Sequence, residues 1–150
     1  MVGSVLRLIG AFLASIVTTF LLASFFHTET VLAQLAGIGA EIPLTAHLRT
    51  IIADMRGFAL TVGMFPVIIA VTLLLGFSVA AILKRVITPL APIAYPLAGA
   101  SAIGVMLWLM SHNFDITPIA GARGAIGFSL QMLAGAVGGL VFSWLIRKPA

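Results

Sequence analysis

Residues 57–83 read GFALTVGMFPVIIAVTLLLGFSVAAIL, with no charged side chain until Lys84-Arg85 close the run. As a helix this stretch is about 40 Å long, against a bilayer hydrocarbon core of about 30 Å. A soluble domain of this size has no interior that could hide so long an apolar rod, so the stretch reads as a membrane span. Pro66 falls inside it. The proline ring removes one helical hydrogen bond and crowds the carbonyl of Val62, beside Gly63, which predicts a kink at that point.

Three further runs of the same kind lie at about 5–26, 90–111 and 124–146, and the loop 27–56 is the one substantial segment between spans. Charges bracket the runs and do not interrupt them: Arg7, Arg123 and Arg147-Lys148 all stand at their edges. The expected fold is all-α, a polytopic bundle of four transmembrane helices forming a single domain over residues 1–150.

Composition agrees. Of 150 residues, 61% are apolar and 8% charged, where a soluble domain is about half apolar and about a quarter charged. The mean hydropathy is +1.23. These values exclude a secreted soluble domain and a disordered tail. The pI near 10.8 comes from eight Lys and Arg against four Asp and Glu. The bases are scattered, with no basic stripe and interleaved aromatics to track a phosphate backbone, so no nucleic-acid partner is expected. The absence of cysteine removes thiolate zinc sites, iron–sulfur clusters, covalent c-type haem and disulfides.

Arg7 and the apolar run behind it resemble a signal peptide, with Val31-Leu32-Ala33 in the place of a cleavage site. Leu8 to Phe26 is longer, however, than the about 7–15 residues of a signal-peptide core, so an uncleaved first helix is expected. Arg7, Lys84, Arg85, Arg147 and Lys148 fall on one side of the bilayer with no acid. Arg49, Arg56 and Arg123 share the other side with Glu29, Glu41, Asp54 and Asp115. Counting bases predicts that both termini are cytoplasmic, in the inner membrane if the source is bacterial.

Within the loop, Leu48, Ile51, Ile52 and Met55 repeat at helical spacing, predicting a short amphipathic helix over Thr45–Met55 capped by Thr45. His47, Thr50 and Asp54 form one polar stripe of that helix, and Arg49 and Arg56 another. The segment 29–42 offers only a weaker amphipathic turn, broken at Gly37 and Gly39.

No ionisable residue lies in the middle of any span, where ion-coupled transporters and proton pumps hold their coupling group. Four helices in so short a chain look superficially similar to small multidrug transporters, a family that relies on an acidic residue in its first span. Here that span carries only Ser15, Thr18, Thr19 and Ser24. The strongly polar mid-span residue is Gln131, on a fourth span rich in glycine: Gly127, Gly135 and Gly139, the last two forming GxxxG. Small residues permit close helix approach and an amide can bond across it. Gln131, those glycines and Pro66 are therefore the candidate helix-interface or substrate-contact positions.

Arg49, Arg56 and Arg123 are candidate anion- or lipid-binding residues, Arg123 because Gly124 opens a helix N-terminus. His27, His47 and His112, with Asp54 and Asp115, are candidate metal ligands; paired histidines suit a b-type haem, and His with Asp suits zinc or copper. No HxxxH or HxxE spacing supports them, and no cofactor is expected. A Ser111-His112-Asp115 set within one short loop is a weak nucleophilic arrangement. The function expected is a small membrane protein without its own catalytic site, a homo-oligomer or an accessory subunit of a membrane complex. The alternatives are a passive or facilitated small-solute transporter or channel, and a membrane enzyme or redox carrier using the histidines and aspartates.

Overall fold

The computed structural model describes residues 2–39, 41–61, 64–87, 89, 91–114, 122 and 124–147. These fold into α1 (Val2–Gly37), α2 (Leu44–Arg56), a π-helical turn (Gly57–Thr61), α3 (Phe65–Val86), α4 (Ala94–Phe114) and α5 (Ala125–Ile146). Among the described residues there is no strand. Four helices, α1, α3, α4 and α5, are long and apolar enough to cross a membrane, and they fit a helical integral membrane protein.

α1 departs most from expectation. It spans 36 residues, about 54 Å, and runs through His27, Thr28 and Glu29 where a loop was expected. Nothing from His27 to Ala36 breaks a helix: the segment has no glycine or proline. Polar residues at 27–30 look like a helix leaving the membrane, but two of them instead meet α2. The helix stops at Gly37, and Gly39 adopts φ 90°, a left-handed conformation that glycine takes without steric penalty.

The expected kinked span 57–83 is two pieces. Pro66 lies in the first turn of α3, where a missing N–H has no intrahelical partner to lose and the fixed φ suits the helix. Pro66 thus starts a helix and does not bend one; Val62 and Gly63 lie outside the described residues. α3 has 22 residues, about 33 Å, close to bilayer thickness. α4 likewise begins at Ala94 and not at 90, after Pro89 and Pro92. α2 matches the predicted amphipathic segment, but its N-cap is Pro43, without a side-chain bond, in place of Thr45.

α5 is the central element, packed against both α1 and α4, while α3 lies on α4 and touches α1 more lightly. Glycine makes this possible. A Cβ on Gly135 would strike the carbonyl oxygen of Gly99 on α4, and one on Gly139 would strike that of Tyr95. On the α1 side, a Cβ on Gly138 would strike the Thr19 hydroxyl. In lipid, where tails are as apolar as leucine, such close packing and cross-helix hydrogen bonds hold helices together. Toward the end where α3 runs into Lys84, rings from all four long helices converge. Phe142 stacks on Phe77 (centroids 4.6 Å) and meets Tyr95 (4.9 Å) and Phe12 (6.4 Å) edge-on.

Candidate functional site

The α1–α5 seam carries most of the buried polarity. Ser15, Thr19, Ser24 and Thr28 of α1 are fully buried. Ser15 donates its hydroxyl to the Gly138 carbonyl at 2.8 Å, a bond that the absent glycine side chain leaves room for. Gln131, 1% exposed, donates Nε2 to the Ala23 carbonyl at 3.0 Å. A carbonyl partner requires the amide nitrogen on that side, so Oε1 points elsewhere. It finds no hydrogen bond among the described residues, and neither do Thr19 Oγ1 and Ser24 Oγ. A buried polar group left unpaired costs about 1–3 kcal/mol, so these three atoms mark where a water or a small polar guest is favoured.

A second polar group joins α2 to α1. Thr28 Oγ1 donates to Asp54 Oδ2 at 2.8 Å, with the Ser24 carbonyl standing 3.1 Å away. His47 Nε2 lies 2.7 Å from Glu29 Oε1. The His47/Asp54 stripe therefore faces α1. The expected apolar stripe is divided: Leu48 and Ile52, with Leu44, face outward at 54%, 59% and 74% exposed, while Ile51 and Met55 are half-buried, and no residue of α2 is fully buried. Arg49 and Arg56 are exposed beside them. An amphipathic helix in water turns its apolar side inward; outward Leu44, Leu48 and Ile52 are compatible with a helix lying against lipid. Asp54→Ala is expected to free α2. A hydrogen bond to a charged group contributes about 1.5–3 kcal/mol, so amide exchange over 44–56 should rise about tenfold or more while α4 and α5 keep their protection. Unchanged exchange in α2 would show that the Thr28–Asp54 bond does not hold it.

Among the described residues the candidate metal ligands do not gather into one site. His27 meets the Phe58 ring edge-on (5.0 Å), His47 pairs with Glu29, and exposed His112 stacks on Trp108 (5.2 Å). Among the described residues no group of three or more His, Asp or Glu is placed to hold a metal ion. Asp115 and Arg123 lie outside the described residues, and with Asp115 the Ser111-His112-Asp115 set. Of the interface candidates, Gln131, Gly127, Gly135 and Gly139 are all buried on α5, and Pro66 lies at the start of α3.

Sequence reasoning missed the Glu29–His47 pair and the role of the α1 hydroxyls. Ser15/Thr19 and Ser24/Thr28 are each spaced by four, which places each pair on one helix face; that spacing was the available signal. No family model matches the chain, and no curated protein or solved structure matches it either.

Proposed function

We propose that this chain is a small integral membrane protein without a catalytic site of its own, working as a homo-oligomer or as an accessory subunit of a larger membrane complex. One observation carries this: among the described residues, four of the polar side chains that could do chemistry bond one helix to another. Gln131 and Ser15 tie α5 to α1, and Asp54 and His47 tie α2 to α1. The excess of Lys and Arg around Arg7, Lys84-Arg85 and Arg147-Lys148 supports cytoplasmic termini, in an inner membrane if the source is bacterial. Native mass spectrometry of gently extracted protein, with an absorbance spectrum and metal analysis of the same sample, tests the reading. A defined homo-oligomer or co-purifying subunits support it; a monomer that binds no other protein overturns it. A Soret band or stoichiometric metal would move the role to the histidines and Asp54.

The second reading is passive or facilitated passage of a small polar solute along the α1–α5 seam. The unpaired Gln131 Oε1, Thr19 Oγ1 and Ser24 Oγ favour it. Under this reading Gln131→Leu abolishes solute flux into liposomes and leaves oligomerisation intact. Absence of flux in the wild-type protein ends it.

A further inference from the structure

Two bonds set the level of α2 in the bundle. Arg7 Nε, near the start of α1, donates to the Leu145 carbonyl near the end of α5 at 2.7 Å, and Lys84 lies in the last turn of α3. These bases mark one edge of the bundle. A hydrocarbon core of about 30 Å takes about 20 residues of helix, which puts the opposite edge near His27 on α1. The next two residues, Thr28 and Glu29, are the ones that hold α2, through Asp54 and His47. α2 is therefore tied on at the membrane surface farther from the termini.

The same bonds set its direction. Thr28 and Glu29 are about 1.5 Å apart in height and about 100° apart around α1. Their partners Asp54 and His47 are seven residues apart, about 10.5 Å along α2. Bonds so matched require α2 to cross α1 and not to run beside it, so α2 lies near the plane of the bilayer. Handedness then decides where each flank points. As the chain runs from His47 to Asp54, α2 passes from the Glu29 side of α1 to the Thr28 side. In a right-handed helix so placed, Leu44, Leu48 and Ile52 fall on the flank turned toward the α1 span, and Ala53 on the flank turned away from it. Arg49 and Arg56 fall between the two flanks, on the side remote from α1.

We infer that α2 is a surface helix of the bilayer, seated among the headgroups farther from the termini, with Leu44, Leu48 and Ile52 in the acyl boundary and Arg49 and Arg56 at the phosphates of anionic lipid. The charges suit that partner. The exposed charged residues of α2 are both basic, and its one acid, Asp54, is bonded inward to Thr28; Glu41 stands before the helix begins. Leu60 and Met64, both exposed, carry apolar surface on from α2 to the start of α3. The inference rests on the membrane reading of the four long helices and not on the oligomer or accessory role.

The chain has no cysteine, so single cysteines can carry a nitroxide label without background. Leu48→Cys and Ala53→Cys, both at exposed positions, are labelled in the full chain and reconstituted into phosphatidylcholine vesicles with and without phosphatidylglycerol. Relative access to oxygen and to an aqueous nickel chelate reads the depth of each label. The Leu48 label should lie about 5–10 Å into the headgroup and acyl boundary and the Ala53 label outside the phosphates, with helicity unchanged. Phosphatidylglycerol adds negative surface charge and should move the Leu48 label deeper; Arg49→Gln with Arg56→Gln should remove that shift. Equal nickel access at the two labels overturns the placement of α2, and a depth indifferent to phosphatidylglycerol overturns the phosphate contacts. Broadening of the Leu48 signal by a second nitroxide also overturns the placement, because a second copy would then cover that flank. A third label, Leu74→Cys, exposed near the middle of α3, separates the two kinds of failure: if it too stays in water, the membrane reading itself falls.

Discussion

Gly135→Ala is expected to destabilise the bundle severely, although alanine is the better helix former by about 1 kcal/mol. The added methyl would meet the Gly99 carbonyl oxygen and the Ile103 side chain. The carbonyl belongs to helix backbone and cannot swing aside, so α4 and α5 must separate along their contact. Overpacking of this kind costs about 1–3 kcal/mol and occasionally more; with backbone as the obstacle, about 3 kcal/mol is expected. Gly10→Ala supplies the control, because nothing lies within 4 Å of a Cβ there. It should be neutral or stabilising by up to about 1 kcal/mol. Thermal unfolding of both variants in one detergent checks the difference in sign. Equal melting temperatures would mean that α4 and α5 do not meet at Gly99 and Gly135.

Phe142→Ala is the second large effect. The ring is 5% exposed and touches rings from α1, α3 and α4, so one truncation loosens every long helix. Phe→Ala in a soluble core costs about 3–5 kcal/mol. In lipid the transfer part of that cost falls away and the lost packing contacts remain, so the low end, about 3 kcal/mol, is expected. Trp144, two residues on and 72% exposed, should tolerate alanine with a change near zero. Denaturation in a titration of mixed micelles measures both. Similar losses at the two positions would argue against the four-helix ring cluster.

The candidate site was legible in part. Gln131 stands out because an amide in an apolar run has few tolerable surroundings in a membrane, and the neighbouring glycines mark a close contact. Tyr95, Gly99, Ala102 and Met106 on the third span offered a smooth face to receive it, but the amide meets Ala23 on α1 instead. The structure divides them: Gly135 and Gly139 go to α4, while Gly138 and Gln131 go to α1. The stripes of α2 were visible as spacing, yet their orientation depended on Thr28 and Glu29 lying on an extended α1.

The sequence alone determined that four runs are long and apolar enough to be membrane helices, and where their charges stop. Those properties follow from side-chain transfer energies and the length of a helix, and each is local to its run. Tertiary structure decided that α1 continues through the expected loop, that Pro66 opens a helix, and that α2 turns its polar side to α1. It also decided that α3 and α4 leave an apolar groove along Gly76 and Ala98. Each outcome depends on which surface faces which, and in lipid that choice is made by close packing and a few hydrogen bonds between segments distant in the chain. Hydropathy records none of those contacts.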